Sequence, residues 1–484
     1  MNKEKRRPNI VLIMTDQMRG DCMSGAGHPD VQTPYLDTLM KNGRYYPNAY
    51  SACPSCVPAR TGLLTGMMPS HHGRVGYEDR VEFNYPYTLA GQLTKAGYYT
   101  KAVGKLHVHP QRNYVGFHSV TLHDGHLGAN RNVELPFWEM QDQCDDYFHY
   151  LKNELGADAD LDTLGIDVNS WLTRPWMYEE KYHPTNWVTS EGIDFLRRRD
   201  PNMPFFLYLS YVRPHPPFDA PQCFFDMYDE NSFREPAVGT WEKQEALYEK
   251  GRIIDSDTGP IDERMLRRAK RGYYACITHM DNQIGRFLMA LERYRLRENT
   301  LIIFVSDHGE LLGDHYMYRK IRPYQGSIRI PFFISGADSL CGEKGICQDL
   351  VELCDVMPTI LNTAGAEIPE NVDGENLWDE KREKRTYIHG EHAAENFGSY
   401  LGNQYIVTKE DKYIWYMESG EEQYFRIKED PEELTNLIED TEYQVRIQYL
   451  RDLLIAELEE RGSGYVKDGK LQKGVEQKNF ISIS

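Results

Sequence analysis

No hydrophobic run in this 484-residue chain approaches the roughly 20 apolar residues of a transmembrane helix. The basic start, MNKEKRR, leads only into Ile10–Met14. That run is too short for the apolar centre of a secretory signal and meets Asp16 at once. Positive charge is scarce: 55 Lys and Arg stand against 74 Asp and Glu, for a net charge of −19. This argues against nucleic acid or an anionic membrane as a general partner. An anionic substrate can bind only where local cations overcome that background. Internal repeats and low-complexity tracts are absent. The nine cysteines are odd in number and scattered, which fits free thiols better than a disulfide framework. With no leader in view, a soluble cytoplasmic protein is the expectation.

At 484 residues the chain passes the roughly 250–300 at which one core stops growing, so two domains are expected. Three apolar runs, Asn9–Met14, Phe205–Leu209 and Leu301–Val305, are short, do not alternate, and are rich in β-branched or aromatic residues. They read as strands covered on both faces. Each leads into polar residues: Thr15-Asp16-Gln17, Ser210 on the way to His215, and Ser306-Asp307-His308. In open α/β sheets ligands bind beyond the carboxyl ends of strands, so these three ends are expected to share a site.

Apolar spacing of three and four predicts helices over Tyr87–Ala96 and Met265–Tyr294. Residues 125–200 show few regular signals and read as inserted loops near the site. Their Trp138, Trp171, Trp176 and Trp187 are candidates to stack a sugar or ring. Asp355–Ala364, followed by Gly365, looks like the last helix of a first domain spanning 1–368. The texture then changes. In 369–484, strand-like pieces at Thr386–His389, Tyr405–Thr408, Tyr413–Met417 and Tyr424–Ile427 suggest an antiparallel sheet. A closing helix places Tyr443, Ile447, Leu450, Leu454 and Leu458 on one face. The expected class is α/β: a central, mostly parallel sheet flanked by helices, with a smaller antiparallel sheet plus helix.

One C-x-x-C occurs, Cys53-Pro54-Ser55-Cys56. A zinc clip needs a second ligand pair at matching spacing, and Cys341 and Cys347 do not supply it. A redox pair needs a small thioredoxin-like domain, and here Pro58 follows within two residues. The longer string Cys56-Val57-Pro58-Ala59-Arg60-Thr61-Gly62 resembles the C-x-P-x-R signature of the type I sulfatases. The resemblance spans nearly the whole chain. It includes Gly104-Lys105-Leu106-His107, Pro214-His215-Pro216-Pro217-Phe218, and Ser306-Asp307-His308-Gly309-Glu310. It continues through Lys320, Tyr324, Gly326, Arg329 and Pro331 to Asp430-Pro431-Glu432-Glu433. Counting from Cys53 instead puts Ser55 and Val57 where proline and arginine belong, so Cys56 is the matching cysteine.

This resemblance implies an alkaline phosphatase-like fold and sulfate ester hydrolysis. It implies that a maturation enzyme converts Cys56 to formylglycine, whose hydrate is the nucleophile. Asp16, Gln17, Cys56, Asp307 and His308 would surround a divalent metal. Arg60 would reach the hydrate from one turn along a helix. Lys105 and Lys320 would bind sulfate oxygens, His107 would take the second proton of the diol, and His215 would bind the bridging oxygen and protonate the leaving group. For His71, His72 and His109, near these motifs, packing is the simpler reading. Gly390-Glu391-His392 is a further candidate to face the leaving group.

Three positions depart from the family pattern: Gln17 stands where a second Asp is common, His308 where Asn is common, and Gln325 where Glu is usual. The Asp-Gln with Asp-His combination resembles choline sulfatase-like members and the phosphonate monoester hydrolases. Calcium is the metal the family favours, with manganese or magnesium admitted by the histidine. The expected substrate is a small sulfate ester: a sugar, an aryl or steroid sulfate, or a choline-type sulfate. The alternatives are a phosphonate or phosphate ester hydrolase of the same superfamily and, in another class, a non-catalytic binder of sulfated glycans.

Overall fold

The computed structural model describes residues 6–125, 144–156, 159, 165–166, 168–242, 256–394 and 402–481. Among the described residues, no helix is long and apolar enough to cross a membrane.

Nine short strands come first in chain order. They are β1 (Asn9–Asp16), β2 (Gly43–Tyr45), β3 (Ala49–Tyr50), β4 (Tyr99–Gly104), β5 (Ser119–Leu122), β6 (Phe205–Pro214), β7 (Thr300–Ser306), β8 (Phe332–Ser335) and β9 (Gly345–Ile346). All but β3 join one eight-stranded sheet in the order β5-β4-β6-β1-β7-β8-β2-β9. β3 pairs separately with β10 (Val351–Glu352). The three strands expected from the apolar runs are neighbours at its centre, β6-β1-β7, and run parallel. The antiparallel pairings involve β8, with β7 and with β2.

Side-chain alternation explains why these runs do not alternate in polarity. Val11 and Ile13 enter one core with the helices Pro184–Arg198 and Glu263–Arg293. Ile10, Leu12 and Met14 enter the other, with Cys56–Thr65, Leu89–Lys95 and Val356–Ala364. Leu207 and Leu209 against Phe206 and Tyr208 divide the same way. Both faces are buried, so the runs at the strand centres are apolar at every position.

The two expected helices form. Thr88 caps Leu89–Lys95 by accepting the Gly91 N–H at 3.0 Å, and Asp262 caps Glu263–Arg293. Residues 125–200 differ from the expectation. They contain helices Asp146–Leu155 and Pro184–Arg198, the second capped by His183 with Pro184 in its first turn. Aromatic residues that look irregular in sequence lie on the buried face of these helices. Trp187 packs on Tyr147 at 5.4 Å, and Trp171 is buried in the same core. These two are packing residues, Trp176 packs against that core, and Trp138 lies outside the described residues.

In the C-terminal part β11 (Ile388–His392), β12 (Asn403–Val407), β13 (Lys412–Tyr416) and β14 (Glu422–Phe425) form the expected antiparallel sheet in sequential order. The helix Gln444–Arg461 lays Ile447, Leu450, Leu454 and Leu458 on one face of it. The other face packs on Tyr50, Leu311, Tyr324 and Ile328. Polar ties accompany this contact. Fully buried Lys412 pairs with Glu433 and donates to the Pro323 carbonyl. Glu433 also accepts the Gln325 N–H at 2.8 Å, and the Tyr324 and Tyr416 hydroxyls meet at 2.8 Å. Removing one partner of a buried pair leaves the other charge uncompensated, at a cost of about 3–5 kcal/mol. Lys412→Met is therefore expected to lower the unfolding free energy by about that much in a denaturant titration. A change under about 1 kcal/mol, the range of an exposed pair, would show that the tie contributes no more than a surface one.

Candidate active site

The carboxyl ends of β1, β6 and β7 and the start of helix Cys56–Thr65 meet in one buried cluster. Cys56 is the first residue of that helix, with Ser55 extended before it. Its Sγ lies 3.3 Å from His308 Nε2 and 3.8 Å from Asp16 Oδ1. Among the described residues, Asp16, Cys56, Asp307 and His308 bring one ligand atom each within 4.8 Å of one another. Two carboxylates, an imidazole and the position of residue 56 suit a divalent cation. His308 Nδ1 lies 2.9 Å from the Gly309 carbonyl. Donating there leaves Nε2 as the lone pair facing the cluster, the tautomer a metal ligand needs.

Gln17 is linked to this group through Lys320, which contacts both its side-chain oxygen and Cys56 Sγ. Its Nε2 donates to Glu310 Oε2, and its Oε1 accepts from Lys320 Nζ at 2.8 Å. Glu310 thus selects which end of the amide faces the site, and the Leu312 and Arg319 N–H groups hold the other carboxylate oxygen at 2.8 and 2.5 Å. Gln17 sits at φ 69°, and its N–H donates to Asp307 Oδ1 at 3.0 Å. Left-handed backbone at a non-glycine residue costs about 1–3 kcal/mol and persists only where surroundings fix it.

The cations surround these acids. Lys105 Nζ lies 2.6 Å from Asp16 Oδ2. Lys320 Nζ lies 3.5 Å from Cys56 Sγ. Arg60 differs from the expectation: its guanidinium binds the carboxylates rather than residue 56. Nε donates to Asp307 Oδ2 at 3.0 Å and Nη2 to Asp16 Oδ2 at 3.1 Å. Nη1 donates to the Lys105 carbonyl at 2.9 Å and to Ser210 Oγ at 2.7 Å. The side chain is long enough to pass Cys56, and two buried carboxylates attract it more strongly than a thiol.

These charges set the protonation states. Burial raises the Asp16 carboxyl, but Lys105, His215, Arg60 and Lys320 overcome it and hold the group well below the usual range. Burial and Asp16 push the Cys56 thiol up; Lys105, Lys320 and His308 outweigh both, and the net effect is downward. His308 moves upward: burial is the largest effect and opposes its charge, but Asp307 and Cys56 together outweigh it. His215 moves well below its ordinary value, through burial and then Lys320. It is therefore neutral, not half-protonated, at neutral pH. Its Nδ1 lies 2.8 Å from the Pro216 carbonyl.

His107 follows β4 in a left-handed conformation, φ 61°, buried. Asp124 Oδ1 accepts both the Leu106 and His107 N–H groups at 2.9 Å and so shapes this loop. The imidazole Nε2 is 3.9 Å from Asp79 Oδ1, with Tyr77 edge-on at 6.0 Å. Of the other candidates, His71 pairs with Asp373 at 2.7 Å on the surface, and His72 is buried and accepts the Arg74 N–H. Glu391 is bound to Arg461 and Gln404, and His392 is buried with Nδ1 2.7 Å from the Ala393 carbonyl. Cys53 is buried, and none of the nine cysteines is in a disulfide. Sequence reasoning assigned no role to Glu310 or Asp124. Glu310 carries a signal, its place in Ser306–Glu310; Asp124 carries none, because only the folded loop brings it beneath Leu106.

A mostly parallel central sheet flanked by helices, with an acid-imidazole-cysteine cluster at its strand ends, defines the alkaline phosphatase-like class of fold. Residues 8–366 match the family model described as Sulfatase. Residues 313–460 match that described as N-sulphoglucosamine sulphohydrolase, C-terminal. An arylsulfatase of Clostridium perfringens (strain 13 / Type A) is 50% identical over 474 residues, 97% of this chain and 98% of that protein. A choline-sulfatase of Rhizobium meliloti (strain 1021) is 30% identical over 448 residues, 90% of this chain and 83% of that protein. In fold, the chain resembles the crystal structure of the phosphonate monoester hydrolase of Agrobacterium radiobacter, with a TM-score of 0.76 at 23% identity over 94% of this chain and 96% of that one. The chain belongs to the sulfatase family and is a sulfuric ester hydrolase.

Glu310→Gln removes the constraint on the Gln17 amide. Loss of such an outer partner of a metal site typically costs about 10–100-fold in metal affinity or activity. Isothermal titration with a divalent metal is expected to read a loss in that range; unchanged affinity would remove Glu310 from this role.

Proposed function

We propose that this sulfatase cleaves a small sulfate ester through a formylglycine made from Cys56 by a maturation enzyme, with a divalent metal, calcium by family preference, held by Asp16, Gln17, Asp307, His308 and residue 56. The observation that carries this reading is the convergence of Cys56 Sγ with Asp16 and His308 under Lys320, at the ends of adjacent parallel strands. The thiol stands where the oxygens of the aldehyde hydrate would be. When bound, the cation supplies charge neutralisation for a sulfate oxygen and for the attacking hydroxyl.

The side chains divide the remaining work. Arg60 fixes the two carboxylates. Lys105 and Lys320 receive sulfate oxygens as point charges. His215, through Nε2, holds the bridging oxygen and gives its proton to the departing alcohol. His107 takes the proton that must leave residue 56 as sulfate departs. The low His215 basicity bears on this order. Lys320 is the charge that most opposes its protonation, after burial. A bound sulfate ester offsets that charge, so His215 takes up the proton it must deliver more readily once substrate is in place.

We place the enzyme in the cytoplasm; there, and with a net charge of −19, a small aryl, sugar or choline-type sulfate is favoured over a polyanionic polymer. Two of the relatives are named for aryl and choline sulfates. The same site, with Gln17 in place of a second carboxylate, favours phosphonate monoesters as the second reading.

Mass spectrometry of the Cys56 peptide, from protein made with a maturation enzyme, is expected to read about 18 Da below cysteine. Cys56→Ala is expected to abolish turnover, and Cys53→Ala to leave most of it. Unmodified Cys56 in every such preparation would sink the enzymatic route and favour a binder of sulfated glycans. A panel of small sulfates, sulfated polymers and phosphonate monoesters decides substrate: faster cleavage of polymers, or of phosphonates, overturns the choice above.

The acid role also has a pH signature. Activity that needs a protonated His215 is lost as pH rises through its pKa. The basic limb of kcat/KM reports free enzyme, that of kcat the substrate complex. The kcat limb is expected at the higher pH; coincident limbs would contradict the offset by substrate.

A further inference from the structure

The chain that presents His215 is a short closed loop. β6 ends at Pro214, and five residues, 214–218, separate Arg213 from Asp219. These two form a two-pronged ion pair across the loop's base. Arg213 Nε reaches Asp219 Oδ1 at 2.6 Å and Nη2 reaches Oδ2 at 2.6 Å, with both side chains buried. Arg213 Nη1 also lies 3.5 Å from the His215 carbonyl. Asp219 Oδ1 has a second partner, His183 Nε2, at 3.2 Å. His183 Nδ1 accepts the Thr185 N–H at 3.1 Å, which leaves Nε2 as the protonated nitrogen of the neutral ring. Burial takes His183 down to about 3, so it donates as a neutral group and leaves the carboxylate's charge to Arg213.

Nothing in the reaction needs an arginine here. Sulfate has Lys105 and Lys320, and the Arg213 fork is fully engaged with Asp219. A buried ion pair is weak support for stability, because desolvation offsets most of its attraction. Its value lies in geometry: a planar fork on a carboxylate admits one distance and one orientation. Further contacts extend that order beyond the loop. Thr173 Oγ1 donates to the Phe218 carbonyl at 2.6 Å, and the Trp176 N–H donates to the Ala220 carbonyl at 3.1 Å.

We propose that Arg213, Asp219 and His183 are positioning residues for proton delivery: they brace the loop so that His215 Nε2 stands at the leaving-group oxygen. This rests on the role given to His215 above. It adds that the brace serves departure of the alcohol and not binding of the sulfate. A misplacement of about 1 Å can cost about 100-fold where geometry is critical. The cost falls on leaving groups that need the proton.

The test uses matured full-length enzyme with two substrates, phenyl sulfate and 4-nitrophenyl sulfate. Phenol is a poor leaving group that needs protonation; 4-nitrophenol departs as the anion. Asp219→Asn keeps the shape of the side chain and removes its charge. The expected result is a fall in kcat of about 10–100-fold on phenyl sulfate and under about threefold on 4-nitrophenyl sulfate, with KM for both unchanged within about twofold. Equal losses on both substrates, or none on either, overturn the brace. If Asp219→Asn does not fold, His183→Gln is read the same way, with a smaller loss expected on phenyl sulfate alone and the same two results overturning it. Wild type that cleaves aryl phosphonate monoesters but no sulfates refutes the sulfatase route; the phenyl to 4-nitrophenyl ratio on those esters then decides the brace. Wild type inactive on both ester classes overturns the acid role of His215 and the brace with it.

Discussion

Two carboxylates buried side by side, Asp16 and Asp307, govern the architecture around them. Asp16 ends β1 and Asp307 directly follows the adjacent strand β7, and neither is exposed. Left alone they would repel each other and stay protonated. Arg60 prevents this by binding both at once, and Lys105 adds a second cation to Asp16. The helix Cys56–Thr65 must therefore lie where its second turn reaches the strand ends. Its first residue then arrives beside His308 and Asp16 as a consequence. The neutralised acids remain able to hold a cation because Arg60 takes one oxygen of each and leaves the other facing the cluster.

The C-terminal sheet takes part in this site without contributing a ligand to it. It is bound to the segment that follows Lys320. Lys412 holds the Pro323 carbonyl, Asn403 Nδ2 reaches the Ile321 carbonyl at 3.3 Å, and Tyr416 meets Tyr324. The Ile321 N–H donates to the Pro54 carbonyl at 3.1 Å, so this segment is also tied to the loop before Cys56. Lys320 is thus placed by two bodies of structure at once. On another side, the Arg213–Asp219 pair gives the His215 loop the same double anchorage, one end in the central strand β6 and the other against His183.

Much of this was legible in residues alone, for identifiable reasons. The strands β1, β6 and β7 are buried on both faces, so burial wrote itself into unbroken apolar runs. The polar residues after them marked the end of the sheet and hence the site. The antiparallel sheet was legible from β-rich pieces separated by charged turns. Helices in 125–200 were not, because Pro184–Arg198 buries aromatic and polar residues together. Asn186 and Thr189 are as hidden there as Trp187, which blurs the apolar stripe. The tryptophans looked available for stacking because composition does not tell which side of a helix a ring is on. Gln325, a departure in sequence without an account, is seen to begin the short helix Gln325–Ile328 and to give its N–H to Glu433. That role belongs to the backbone and carries no side-chain signature.

What the sequence by itself determined is the chemistry: which cysteine, acids, lysines and histidines are present, and their order along strands and motif segments. Spacing within one element is local, and Cys56 and Arg60 one turn apart carry that relation in any helix. Which atoms meet was decided only by tertiary structure. Arg60 turned from residue 56 to the carboxylates because β1 and β7 place two buried negative charges within its reach. His215 lost basicity because folding buried it and then brought Lys320, 105 residues away in sequence, near it. Charge interactions depend on distance and burial, and neither exists until the chain has folded.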